Sequence, residues 1–238
     1  MILKDLPISS TALLLLAMIV ICGYGWFRLD RRTKANPQND LFYFFRNFFA
    51  TLVLFSLVFV TPFLLTPHNE KFMVSGYIAA QFCFSIAMAW LAGLIARSFN
   101  RPAKWGEIPL VILGFVELAE HIIHFPTYDF AAFTAYNIQK VVPSKAGAAM
   151  IGLKAMVVVL PLLFIMIRET IKVPAARLRT SLIALGFIFF SVGGPMHDFA
   201  GPRLFAVADI VTLGGFVLIL TGLLVNSSKS VSSPPVDS

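Results

Sequence analysis

Seven long apolar runs, separated by short polar segments, dominate the pattern of the chain. They cover residues 9–28, 42–65, 72–97, 106–125, 146–168, 178–199 and 203–225. An α-helix that rises 1.5 Å per residue needs about 20 residues to cross a hydrocarbon core of about 30 Å. The pattern therefore predicts an all-α integral membrane bundle of seven transmembrane helices over residues 1–225, with a short disordered cytoplasmic tail at 226–238.

Composition agrees with a protein whose solvent is lipid. Hydrophobic residues make up 58% of the chain and charged residues 13%, and the mean hydropathy is +0.83. Soluble domains carry about twice that share of charge. No small-residue cleavage site follows the first apolar run, so we interpret that run as a retained anchor. The expected location is the plasma (inner) membrane, with the lipid bilayer as the main partner.

The basic residues lie mostly in the loops between the apolar runs, which argues against a nucleic-acid partner despite the net charge of +7. Loops that should lie on one side of the membrane hold most of them: Arg28, Arg31, Arg32, Lys34, Arg97, Arg101, Lys104, Arg168, Lys172, Arg177, Arg179 and Lys229. Cytoplasmic loops are enriched in Lys and Arg. The N-terminus is therefore predicted outside and the C-terminus in the cytoplasm.

The fourth run is unusual because it contains Glu117, Glu120, His121 and His124. On an ideal helix these residues lie at roughly 0°, 300°, 40° and 340°, so they share one stripe. Residues four apart can touch, which pairs Glu117 with His121 and Glu120 with His124. Ionisable residues inside a membrane span indicate a functional site.

Other polar residues fall near the same predicted outer side. His197 and Asp198 lie near the end of the sixth run, and Asp209 lies in the seventh. Lys154 in the fifth run lies at about the depth of Glu117, so these two are expected to form an ion pair. Together these residues predict an outward-facing cavity lined by several helices.

The motif Gly193-Gly194-Pro195 precedes His197 and should loosen or break the sixth helix. A break would free backbone carbonyls that only a cavity, a neighbouring helix or a bound ion can satisfy. An ordinary proline kink near a helix end is the alternative.

Three functional classes fit this pattern, so the sequence does not decide whether the protein is an enzyme. In a metal enzyme, His121, His124 and His197 would bind zinc, iron or copper, and Glu117 or Glu120 would act as general base on a lipid-soluble substrate. A sensor, receptor or accessory subunit would bind a small ligand in the same cavity and act through a membrane or cytoplasmic protein partner. A proton-coupled carrier is the weakest alternative, because the inner half lacks comparable polar residues. The same residues could also form a purely structural network.

Overall fold

The structure is a computed structural model that describes residues 9–66, 68–129, 132, 138, 140–199 and 204–225, with only the backbone for 194–199, 205 and 206. Seven long helices account for most of this: α1 Ser10–Ala35, α2 Asp40–Leu65, α3 Glu70–Ser98, α4 Lys104–Ile123, α5 Lys145–Lys172, α6 Arg177–Phe199 and α7 Phe205–Leu224. A 3₁₀ turn, Pro174–Ala176, joins α5 to α6. Two short antiparallel strands, β1 Thr127–Tyr128 and β2 Val141–Val142, pair between α4 and α5.

Four helices begin where a polar side chain caps the first turn. Ser9, Asn39, Asn69 and Ser144 each accept a hydrogen bond from the backbone N–H three residues ahead. Such caps satisfy N–H groups that have no partner inside the helix. The capped helices α2, α3 and α5 therefore begin one or two residues before their apolar runs, because a polar cap and not hydropathy marks the start of the helix.

Consecutive helices pack against each other along the chain, and α7 returns to pack against α1. Helix α3 lies between several neighbours, because it contacts α2, α4 and α5. At one end of the bundle, which we call the basic end, Arg32 of α1 donates two hydrogen bonds of 2.7 Å to the carbonyls of Leu223 and Leu224 in α7. The Arg97–Asp40 ion pair, at 3.2 Å, joins α3 to α2 at the same end.

Six of the helices are long and apolar enough to span a membrane, namely α1, α2, α3, α5, α6 and α7. The chain is thus a multi-pass membrane protein. Helix α4 is apolar at most positions, but its 20 residues include Glu107, Glu117 and Glu120, and acidic residues are expensive in hydrocarbon. The seventh span and the orientation remain predictions.

Helix α6 is not broken at Gly193-Gly194-Pro195, which leaves the alternative interpretation, an ordinary proline kink near the helix end. Helix α6 continues through Gly193, Gly194 and Pro195 to Phe199. A proline removes one backbone hydrogen bond, and a neighbouring helix can support the bend. Prolines also lie inside α2, α4 and α5 without ending them.

Glycines let α6 and α7 approach each other closely. A Cβ placed on Gly215 would lie 2.7 Å from the carbonyl oxygen of Gly186, and one on Gly186 would lie 2.6 Å from the carbonyl oxygen of Gly215. No other residue fits these two positions without a shift of the backbones. Small residues commonly allow such contacts between membrane helices.

Candidate functional site

Three neighbouring helices bring together four buried polar side chains, which we call the polar cluster: Ser85 of α3, Glu117 and His121 of α4, and Lys154 of α5. Glu117 is 1% exposed and the other three are 0% exposed. The Lys154 ammonium contacts Glu117 Oε2 and donates to Ser85 Oγ at 2.8 Å. The Ser85 hydroxyl also lies within donating distance of the Gln81 carbonyl, at 3.0 Å, and of Glu117 Oε2, at 3.3 Å.

The predicted contact between Lys154 and Glu117 is therefore present. Each charge offsets the other's burial, which would otherwise cost several kcal/mol per ion. Ser85 adds a hydrogen bond to the ammonium, and the Phe84 ring lies 5.4 Å from the Lys154 nitrogen. The ion pair consequently ties α3, α4 and α5 together in the interior of the bundle.

His121 lies one helical turn from Glu117, on the side of the cluster away from the basic end. Its Nε2 is 3.6 Å from Glu117 Oε1, and its ring centroid is 5.7 Å from that of Tyr77. Within the described part of the chain, neither ring nitrogen has a hydrogen-bond partner. A Cβ on Gly147 would lie 2.5 Å from His121 Cε1 and 3.0 Å from Nδ1, so glycine is what lets α5 lie against this ring.

Glu120 and His124 form a second pair at the end of α4. His124 Nδ1 lies 3.0 Å from Glu120 Oε1, as the four-residue spacing predicts. The Ser144 hydroxyl donates to the same Glu120 oxygen at 2.7 Å. The His124 side chain is 61% exposed, whereas that of Glu120 is 15% exposed. The polar stripe of α4 thus divides into a buried pair and a surface pair.

The predicted metal ligands are not assembled in the residues that the structure describes. Among them, no three His, Cys, Asp or Glu side chains lie close enough to hold an ion. His121 and His124 instead face different carboxylates. The side chains of His197 and Asp198 lie outside the described residues, so a metal site that includes His197 stays a prediction.

Asp209 belongs to a different part of the bundle. It is half-buried on α7, which packs mainly against α6 and α1 rather than against the helices of the polar cluster. The sequence had placed it with Lys154 and Glu117 as one polar set. The sequence grouped these residues because all of them were predicted near the same side of the membrane. Which side chains meet depends instead on which helices are neighbours.

The polar cluster is closed in this structure. The exposures of 0–1% show that these four side chains do not line an open cavity. The side chains of His197 and Asp198 lie outside the described residues, so the outward-facing cavity stays a prediction. Near this end, the strand pair packs on α3, and the Tyr128 N–H donates to Glu70 Oε1 at 3.4 Å. Lys154 and Ser85 satisfy Glu117 Oε2, whereas Glu117 Oε1 and both ring nitrogens of His121 have no hydrogen-bond partner among the described residues.

Sequence reasoning missed the contribution of α3. Tyr77, Gln81 and Ser85 lie at intervals of four, which places them on one helix face. That spacing was visible in the sequence, but none of the three is charged at neutral pH, so none stood out. Gly147 was missed as well, because its role depends on which ring lies opposite.

Comparisons of the chain with protein-family models, with curated proteins and with solved structures find no match. The geometry of the site is therefore what bears on its function.

Proposed function

We propose that this multi-pass membrane protein is a sensor, receptor or accessory subunit, in which the polar cluster binds a small ligand and its occupancy acts on a partner protein. One observation carries the proposal. Four polar side chains from three helices meet where no water reaches them, and two of them form an ion pair across helices. Buried ionisable groups in membrane bundles mark functional sites more often than structural ones.

Glu117 and Lys154 are enclosed by side chains of the bundle. A ligand of the polar cluster must therefore enter by separating α3, α4 and α5, and this movement is the change that a partner protein would detect. A proton-coupled carrier needs a polar pathway from its site to the other side of the membrane. Toward the basic end, the helix faces below Ser85, Glu117 and Lys154 first present buried apolar side chains, and the partly buried Glu107 lies beyond them against Gly93. The buried apolar side chains are Met88, Ala92, Leu110, Val158 and Leu162.

Coupling to a partner would use the helices themselves. The contacts of Lys154 with Ser85 and Glu117 hold α5 to α3 and α4. A ligand that rearranges these contacts would change how the three helices pack, and all three continue to the basic end. A partner that contacts the basic end could detect the change. Such coupling requires the ligand to prefer one of the two arrangements.

The test measures whether a change in the polar cluster alters the packing of the helices at the basic end. Spin labels on cysteines placed at Arg101 and Val173, in the loops after α3 and α5, report the distance between those loops in lipid nanodiscs. Protein without introduced cysteines gives the background from Cys22 and Cys83, which are buried. We expect Lys154→Met to shift the distance distribution, because it removes the tie between the helices.

Gly152→Ala is the matched control on the same helix, since nothing lies within 4 Å of the added methyl group. Ser85→Ala keeps the ion pair and should give a smaller shift of the distance distribution. It provides a second test if the Lys154→Met protein misfolds. Size-exclusion profiles and thermal melts establish that each variant is folded. Unchanged distances in folded Lys154→Met and Ser85→Ala proteins would contradict the proposal.

Metal-dependent chemistry on a lipid-soluble substrate is the competing proposal, and it rests on the sequence pattern of His121, His124 and His197. Its test is elemental analysis of protein purified without chelator or polyhistidine tag. A metal enzyme should retain near-stoichiometric zinc, iron or copper, and His121→Ala and His197→Ala should each lose it. Metal-free protein that still shows the coupling described above would support the sensor proposal.

A further inference from the structure

Three arginine side chains meet at the basic end, where α1 and α6 flank the last turn of α7. We call them the arginine cluster: Arg28 and Arg32 of α1, and Arg179 of α6. The Arg32 guanidinium donates to the carbonyls of Leu223 and Leu224. It also lies near enough to Arg28 and Arg179 to be repelled by their positive charges. Bringing like charges together costs free energy, and an anion among them would offset that cost.

The helix faces explain why these three residues converge. On α1, Gly25 faces α7, since a Cβ on it would lie 3.2 Å from a leucine side chain of that helix. Arg28 and Arg32 follow Gly25 at intervals of three and four residues, so they share its face. On the other side, a Cβ on Gly222 of α7 would lie 2.7 Å from the Arg179 carbonyl oxygen. Helix α7 therefore ends between the two helices that carry the arginines.

Acidic side chains do not balance this charge in the part of the chain that the structure describes. Arg28 and Arg179 form no ion pair there. Asp30 lies on a different face of α1, where it contacts Lys34 at 2.7 Å and Arg46 at 3.6 Å. The Nε atom of Arg179 is buried and has no hydrogen-bond partner among the described residues. A buried donor without an acceptor is costly, so this atom needs one.

Exposed side chains of α1 indicate that the cluster lies at the level of lipid head groups. Tyr24, Trp26 and Phe27 lie within about one turn of Arg28 and are about half exposed. Tyr and Trp are enriched where hydrocarbon meets water. The Arg28 guanidinium lies 5.9 Å from the centre of the Tyr24 ring. Val20, Tyr24 and Arg28 are all exposed and four residues apart, so an apolar strip leads from the arginine into the membrane.

A phosphodiester matches the cluster in charge and in geometry. It carries one negative charge on two oxygens that accept hydrogen bonds. A guanidinium group presents a planar fork of N–H donors that fits two such oxygens, whereas a lysine ammonium acts as a point charge. Three guanidinium groups without an ion-paired carboxylate at Arg28 and Arg179 therefore favour a phosphate over a metal ion or an apolar ligand.

We propose that the arginine cluster binds the phosphate of an anionic phospholipid in the leaflet at the basic end. Arg28 contacts the phosphate from the lipid side and Arg179 contacts it from the side of α6. The lipid anion offsets the repulsion among the three arginines, and an acyl chain lies along the strip of Val20 and Tyr24. That strip favours a lipid over a soluble phosphate. This site is separate from the polar cluster and goes beyond the proposed function.

The experiment measures phospholipid binding to the full-length protein in detergent by native mass spectrometry. The probes are phosphatidylglycerol and phosphatidylcholine, whose choline group cancels the charge of the phosphate. Wild-type protein should bind phosphatidylglycerol more tightly. Arg28→Gln and Arg179→Gln should each weaken that binding about fivefold, as expected for the loss of one cation beside an anionic head group. Arg179→Lys keeps the charge without the fork and should give an intermediate loss.

Arg168→Gln is the matched control, because it removes one exposed arginine at the basic end of α5, outside the cluster. Its binding of phosphatidylglycerol should equal that of the wild type. An equal loss in Arg168→Gln and Arg28→Gln would show a general attraction to basic surface and overturn the site. Arg28 is exposed, so Arg28→Gln should fold and keeps the test decisive if Arg179→Gln misfolds. Thermal melts establish the folding of each variant.

A titration with inorganic phosphate separates a lipid from a soluble anion. Phosphatidylglycerol should raise the melting temperature of the wild type, because a ligand stabilises the state that binds it. Inorganic phosphate should not raise it. Stabilisation by inorganic phosphate that is lost in Arg28→Gln would assign the cluster to a soluble anion and overturn the lipid. Equal binding of phosphatidylglycerol and phosphatidylcholine by the wild type would also overturn the inference.

Discussion

Lys154 is wholly buried between α3 and α4, and its ammonium group contacts Glu117 and Ser85 there. Its pairing with Glu117 was predictable because two opposite charges at the same depth in neighbouring spans have few other ways to be satisfied. The part played by Ser85 was not predictable in the same way. A hydroxyl is cheap to bury when it bonds its own helix, so its presence in a span does not identify a partner.

A double-mutant cycle tests the pair. Glu117→Gln and Lys154→Met should each lower the free energy of unfolding by about 3–5 kcal/mol, because each leaves one charge buried without its partner. The double variant should lose less than the sum of the two, since no unpaired charge remains. Thermal and denaturant unfolding in nanodiscs give the three values. Strictly additive losses would show that the two side chains do not interact.

At the scale of elements, the apolar runs predicted all seven helices, and the main differences lie at their ends. Helix α1 reaches Ala35 and α5 reaches Lys172, beyond the apolar runs that end at 28 and 168. The motif Gly193-Gly194-Pro195 allowed either a broken helix or an ordinary proline kink, and the continuous α6 excludes only the break. Close packing of α6 on α7 supports a continuous helix, and a neighbour across the bundle cannot be inferred from a short motif.

The contact between α6 and α7 can be tested with two adjacent glycines. Gly215→Ala places a methyl group 2.7 Å from the Gly186 carbonyl oxygen and should destabilise the protein by about 1–3 kcal/mol through overpacking. Gly214→Ala meets its nearest neighbour, in the Phe189 ring, at an ordinary 3.7 Å, so it should be nearly neutral. Melting temperatures in one detergent compare the two variants. Equal losses would mean that α7 does not face α6 through Gly215.

On the scale of the whole molecule, the sequence predicted a multi-pass helical bundle, because lipid imposes a length and an apolar composition on every span. It predicted the site less well. The candidate residues were selected by their side of the membrane, and this criterion grouped Asp209 with residues that lie on other helices. The order of the apolar runs predicts the contacts between consecutive helices, but the contacts of α3 with α5 and of α1 with α7 depend on packing that the order does not specify.

Topology is tested by cysteine accessibility in intact cells. A cysteine at Asn36 or Arg101 should resist an impermeant reagent, because the positive-inside rule places the basic end in the cytoplasm. A cysteine at Thr127, just after α4, should react. Reaction at all three positions, or at Asn36 alone, would overturn the orientation. Protection at both Arg101 and Thr127 would show that α4 does not cross the membrane.

The hydrogen bonds from Arg32 to the carbonyls of Leu223 and Leu224 join the first helix to the last, across 191 and 192 residues of sequence. These hydrogen bonds determine when, during synthesis of the chain, the first and last helices can join. During synthesis, α1 enters the membrane long before these two acceptors leave the ribosome, so this contact forms only at the final stage of assembly. Arg32→Gln should therefore leave early helix insertion intact and increase proteolysis of the full-length chain, which pulse–chase measurements would detect as a shorter lifetime after synthesis ends.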